Sequence, residues 1–121
     1  MPAIARLTVF ALDTPDPQAL AAFYRALTGW ELDYDGGDWV KLKSDGGATL
    51  AFQLAPDHRP PTWPTGDRPL QAHLDFEVAD LDASEPKVLA LGATKAAYQP
   101  GQDFRVYLDP AGHPFCLCQA D

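Results

Sequence analysis

The first hydrophobic run, residues 7–12, is β-prone and breaks at Asp13-Thr14-Pro15-Asp16-Pro17, which predicts a strand ended by a turn. Asp16 then stands where an N-cap belongs, with Pro17 at the first helical position. Leu20, Phe23, Tyr24 and Leu27 follow at helical spacing until Gly29 stops the pattern. Three extended segments come next, at residues 30–33, 39–43 and 49–54, parted by the turn signals Gly36-Gly37 and Asp45-Gly46-Gly47. The first half therefore reads βαβββ. Residues 55–69 carry Pro56, Pro60, Pro61, Pro64 and Pro69 and exclude a helix or a central strand. Beyond them residues 72–78 alternate with period two, and Asp80 to Ala83 turn into a helix over residues 84–91 stopped by Gly92. Extended segments follow at residues 95–98, 104–108 and 114–118, the last two joined by the turn Asp109-Pro110-Ala111-Gly112. The second half repeats βαβββ.

That repetition extends to the boundaries. Leu12-Asp13 matches Ala79-Asp80 at the strand ends, Leu27-Thr28-Gly29 matches Ala90-Leu91-Gly92 at the helix ends, and Asp45-Gly46-Gly47 matches the turn at residues 109–112. The reading is one domain over residues 1–121, with module one at about 4–55, a proline-rich connector at about 56–70 and module two at about 71–119.

Composition narrows the class of partner. The 121 residues are 46% hydrophobic and 21% charged, which suits a globular chain rather than a disordered or fibrous one. With 17 acidic against 9 basic residues the net charge is −8, so a phosphate backbone would be bound against the overall field and no nucleic-acid partner is expected. The same field would concentrate a cationic small molecule, although acidity also serves plain solubility. Apolar runs are short and the first residues lack a signal-peptide pattern, so a cytoplasmic protein without a membrane partner is expected. Cys116 and Cys118 lie too close for an ordinary disulfide between flat strand positions and read as reduced thiols.

The chain resembles the vicinal oxygen chelate superfamily, which includes glyoxalase I, extradiol dioxygenases, and fosfomycin- and bleomycin-resistance proteins. The resemblance is carried by Asp16-Pro17, by residues 22–30 (Ala-Phe-Tyr-Arg-Ala-Leu-Thr-Gly-Trp), by residues 73–78 (His-Leu-Asp-Phe-Glu-Val), by Leu91-Gly92-Ala93, and by residues 109–115 (Asp-Pro-Ala-Gly-His-Pro-Phe). Residues 59–64 resemble the linker of a small glyoxalase-like branch. Membership implies an α+β fold of two βαβββ modules, an eight-stranded concave mixed sheet with helices outside, a small-molecule ligand, and a homodimer. In metal-dependent members each module supplies one ligand from its first strand and one from its last, so that a divalent cation acts as Lewis acid on two vicinal oxygens.

Here His73 matches the family histidine, Cys116 stands where glutamate is usual, and the corresponding positions of module one are Ala51 and Arg6, or a neighbour of Arg6 as far as Val9. Alanine and arginine cannot ligate, and a catalytic divalent site needs about three protein ligands. The resemblance thus implies a binding protein without the usual complete metal site and with no cofactor. The alternative is a divalent metal held by His73 and Cys116, with Gln53 as a weak donor, in a lyase, isomerase or dioxygenase. Strand alternation places Leu74, Phe76, Val78, Phe115 and Leu117 on a face packed against Val88 and Leu91, and His73, Asp75, Glu77, Cys116 and Cys118 toward a cavity. In module one it assigns Leu7, Val9, Ala11, Leu50, Phe52 and Leu54 to the core, and Arg6, Thr8, Phe10, Ala51 and Gln53 inward, with Trp39 or Tyr107 as further candidates. An ion pair of Arg6 with Asp75 or Glu77 is one reading of these charges. Acid and base catalysis by His73 with Glu77 or Asp75, a carboxyl being raised by burial, is another. Cys116 as a nucleophile would need His73 as its base. Trp63, held among prolines, is a candidate to cap the cavity mouth or to pack at a dimer interface.

Overall fold

The computed structural model describes residues 3–121, and the chain divides into two compact units that meet between His58 and Arg59. In the first unit the order is β1 (Val9–Thr14), α1 (Pro17–Thr28), β2 (Glu31–Asp35), β3 (Trp39–Lys43) and β4 (Thr49–Leu54). In the second it is β5 (Leu74–Val78), α2 (Leu81–Ala90), β6 (Thr94–Lys95), β7 (Phe104–Leu108) and β8 (Pro114–Gln119). Each unit is a βαβββ module. The sheets run β1-β4-β3-β2 and β5-β8-β7-β6, with a parallel first pair and antiparallel remainder, so the strands form two hydrogen-bonded sheets of four. The α+β class and the paired modules are those expected.

Helix α1 begins where the sequence places it, because Asp16 Oδ1 accepts from the Ala19 N–H at 3.0 Å and Pro17 needs no donor partner. It ends at Gly29, whose φ of 75° brings its N–H onto the Arg25 carbonyl at 2.8 Å. Leu20, Ala21, Phe23 and Tyr24 are buried, Tyr24 stacking on Phe52 with centroids 5.6 Å apart. Helix α2 starts three residues before the expected Ser84. The Asp80 carboxylate accepts from the Asp82 and Ala83 N–H groups, and the Leu81 N–H donates to Gln119 Oε1 of β8 at 3.1 Å. That last cap comes from 38 residues away and has no local sequence signal.

The face expected of β1 is reversed. Leu12 and Thr14 are buried while Leu7 is 71% exposed and Ala11 is exposed. Because Phe10 pairs with Leu50 and Leu12 with Phe52, Phe10 shares the core side of the sheet with those residues rather than the side of Ala51 and Gln53. The strand also starts later than expected and runs on through Thr14, whose Oγ1 accepts from the Asp16 N–H and whose carbonyl accepts from Ala55. Leu54 and Leu91, both expected in the core, are exposed at the ends of their elements. Strand β6 is shorter than expected because the Gln99 side chain replaces the ladder. It donates to the Ala96 and Val106 carbonyls and accepts from the Val106 N–H.

The turn between β7 and β8 is built on Asp109, which is buried and accepts through Oδ1 from Ala111 and His113 at 2.8 and 3.0 Å. Gly112 has a φ of 85°, and a Cβ there would stand 2.5 Å from Pro60, so the connector packs directly on this turn. Much of the proline-rich stretch therefore belongs structurally to the second unit. Arg68 fixes it further by donating from Nε to the Pro60 carbonyl at 2.8 Å.

Candidate functional site

The register of the second sheet sorts its side chains. Asp75 pairs with Cys116 and Glu77 with Cys118, while Val106 pairs with Cys116 and Phe104 with Cys118, so these six share one face. Phe76, Phe115, Leu117, Arg105 and Tyr107 take the other, where Phe115 and Leu117 are fully buried and Val88 of α2 is nearly so. Tyr107 was a candidate for the cavity and is instead on this helix side. It stacks on Phe115 and donates from its hydroxyl to Glu85 Oε1 at 2.8 Å. Arg105 joins the same cluster, against Asp82 at 2.5 Å and Glu85 at 3.4 Å, and Lys95 meets Glu85 at 3.0 Å. The hydrogen bond from Lys95 and that from Tyr107 hold the Glu85 carboxyl below its ordinary range, and Arg105 does the same for Asp82.

Burial, reinforced by the Glu85 carboxylate, pushes the Tyr107 hydroxyl up to about 12. Below pH 10 the phenol is protonated in folded and unfolded chains alike. Between pH 10 and 12 only the unfolded chain releases the proton, so stability falls as pH rises, by about 2 kcal/mol in all. Urea midpoints from pH 8 to 11.5 are expected to fall more steeply for the native protein than for Tyr107→Phe, which should itself lose about 1 kcal/mol at pH 8 with its hydrogen bond. Parallel pH curves for the two would show that Tyr107 titrates as it does in water.

The opposite face carries a pocket of about 310 Å³. Its floor is Val106, Phe104, Pro114, Cys116 and Cys118, and its walls are Trp63, Leu70 and Pro100. Trp63 leans on Tyr98 with ring centroids 5.6 Å apart. The polar end is formed by His73 and Asp75, joined by a 3.2 Å contact from Nε2 to Oδ1, and both side chains are about half exposed. His73, Asp75 and Cys116 each offer a donor atom, and these atoms lie within 4.8 Å of one another. His73 was expected on the strand and stands one residue ahead of β5. The ladder begins at Leu74 opposite Phe115, and one step earlier it would meet Pro114, which has no N–H.

Five of the expected site residues thus lie around one pocket: His73, Asp75, Cys116, Cys118 and Trp63. Glu77 shares their face and is exposed. The burial expected of the two carboxylates is not there. Arg6 and Thr8 line a separate hollow of the first unit with Leu7 and Gly47, and Gln53 is exposed beside Trp39. Leu70, Pro100, Phe104, Val106 and Pro114 were not expected. For Phe104 and Val106 the signal was present, since the four-residue turn fixes which β7 residues oppose Cys116 and Cys118. The thiols are not activated: burial first, then Asp75, raises Cys116 to about 12 and moves Cys118 in the same direction. A neutral thiol is the opposite of what a thiolate nucleophile requires.

A family model described as a glyoxalase-like domain matches residues 9–118. The chain belongs to that family. It is thereby a member of the vicinal oxygen chelate superfamily, as its resemblance implied. No curated protein matches this glyoxalase-like chain. Among solved structures it is similar to a glyoxalase/bleomycin resistance protein/dioxygenase family enzyme from Burkholderia phytofirmans. That match has 23% identity and a TM-score of 0.72, and covers 95% of this chain and 98% of the other. A fosfomycin resistance protein from Listeria monocytogenes superposes with a TM-score of 0.73 at 18% identity over 98% and 96% of the chains. An antibiotic binding protein from a Streptomyces species does so with a TM-score of 0.65 at 20% identity over the full length of both. At these identities the likeness is one of fold. Among the described residues no helix of this glyoxalase-like protein is long and apolar enough to cross a membrane.

Proposed function

We propose that this glyoxalase-like protein binds a small, largely apolar molecule in the pocket of its second module. The observation that carries the reading is the composition of the pocket, in which aromatic, proline and aliphatic side chains surround a single polar end at His73 and Asp75. Such an apolar concavity with few convergent polar groups is the usual form of a ligand site, the apolar walls supplying affinity and the polar end orientation. His73 held by Asp75 can donate or accept one hydrogen bond toward a bound molecule. The fold shared with an antibiotic binding protein agrees with this reading.

A neutral two-ring probe, 2-naphthol, is expected to bind at one per chain by calorimetry. Cys118→Phe, which places a ring in the pocket from a half-exposed position, should abolish the binding while leaving a cooperative thermal transition. Binding unaffected by that substitution would place the probe elsewhere and overturn the reading.

The spacing of His73, Asp75 and Cys116 favours a second reading, a metal ion at the polar end. Nitrogen, oxygen and sulfur donors together suit a borderline, thiophilic divalent ion and not a hard one, which wants oxygen ligands throughout. When bound, such an ion would supply Lewis acidity toward an oxygen of the ligand. The chain's own contribution would be to hold that ligand against Trp63 and Phe104 with its polar group toward His73.

A further inference from the structure

The pocket's walls and its charges select for different properties of one ligand. Trp63 and Phe104 line it, Trp63 rests against Tyr98, and Pro100 and Pro114 complete a lining of rings, which suits a flat ring system better than a flexible chain. Among the described residues that line it, none is lysine or arginine. Three cations of the second unit have partners away from the pocket lining. Arg105 pairs with Asp82 and Glu85 on the helix side of the sheet, Lys95 with Glu85, and Arg68 donates to the Pro60 carbonyl. On this face of the second sheet the formal negative charges are Asp75, at the end of the pocket, and Glu77, next along the strand. His73 offsets at most one of them, so these three side chains together are negative in either protonation state of the histidine.

Resting on the reading of this pocket as a ligand site, we infer that it takes a planar aromatic cation and rejects anions of the same shape. Aromatic rings such as Trp63 and Phe104 attract a positive charge spread over a ring system stacked on them, and Asp75 attracts it further. An anion finds at most one hydrogen-bond donor there, His73, and meets the Asp75 and Glu77 carboxylates on the same face. This excludes phosphorylated or multiply carboxylated molecules as the physiological ligand class.

The test compares two three-ring probes of nearly equal shape, 9-aminoacridine, a monocation at neutral pH, and 9-anthracenecarboxylate. The cation is expected to bind at least about tenfold more tightly at low salt, with the ratio shrinking toward one at about 0.5 M salt. Asp75→Asn should weaken the cation severalfold and leave the anion unchanged or improved, whereas Trp63→Ala should weaken whatever binds. If the anion binds as tightly as the cation and Trp63→Ala weakens both, the pocket is a ligand site and the charge selection is wrong. If Asp75→Asn leaves the ratio unchanged, the charge selection is likewise overturned. Failure of both probes while 2-naphthol still binds would overturn the selection alone, and failure of all three would overturn the ligand-site reading with it.

Discussion

Replacing Phe115 with alanine is expected to cost about 4 kcal/mol, enough to consume a large part of the roughly 5–15 kcal/mol by which a domain of this size is stable. Phe115 has no exposed surface, stacks on Tyr107 with centroids 5.7 Å apart and meets Phe76 edge-on at 6.0 Å. Three rings on three adjacent strands thus form the core side of the second sheet, and removing the middle one leaves a cavity that strands on both sides hold open. The pocket side depends on the same packing. Cys116 follows Phe115 on β8, so a strand that shifts to fill the void moves the pocket floor with it. Urea denaturation should show the midpoint falling with an unchanged slope, and 2-naphthol affinity should fall in parallel. Cys118→Ala, at a half-exposed position, is the comparison and should change stability by less than about 1 kcal/mol. A loss below 1 kcal/mol for Phe115→Ala would show that these rings are not the core of the module.

The period-two pattern of residues 74–78 and 114–118 was enough to read the second module's faces, because each strand presents apolar residues on one side and polar or thiol groups on the other. Residues 7–12 have no such alternation. Val9, Phe10, Ala11 and Leu12 are all apolar, and only the pairing of Leu12 with Phe52 decides which side meets α1. The helix caps at Asp16 and Asp80 and the glycine stop at Gly29 were legible because they are local hydrogen-bonding chemistry. The cap from Gln119 and the ladder supplied by Gln99 were not, since nothing near either glutamine in sequence marks its distant role.

The site was legible to the same extent. His73, Asp75, Cys116 and Cys118 follow from alternation within one module, and Trp63 from its proline-rich setting. The aromatic and proline walls needed the hairpin register and the path of the connector over Gly112. Placing Arg6, Phe10 and Gln53 with them assumed a uniform inner face in the first module, and the reversed face of β1 removes Phe10 from it.

For the metal reading, zinc is the ion whose preferences the donor set matches. Metal-stripped protein is expected to bind one Zn²⁺ per chain and to gain several degrees in thermal midpoint. Mg²⁺ and Mn²⁺ at the same concentration should produce no shift, because imidazole and thiol donors suit the softer ion. Cys116→Ser replaces the soft donor with a weakly coordinating hydroxyl of similar size and should lower zinc affinity by about a hundredfold. Asp75→Asn should cost less, since an amide oxygen remains a neutral, weaker oxygen donor to the ion. With Co²⁺ in place of zinc, a near-ultraviolet thiolate-to-metal absorption should appear in the native protein and vanish in Cys116→Ser, a readout independent of any activity. An equal response to Mg²⁺, or a Co²⁺ spectrum unchanged in Cys116→Ser, would place the ion elsewhere. Absence of any zinc shift would leave His73, Asp75 and Cys116 as hydrogen-bonding groups at the end of a purely organic pocket. The two readings are therefore separated without knowledge of the ligand, because the ion responds to the donor atoms and 2-naphthol to the walls.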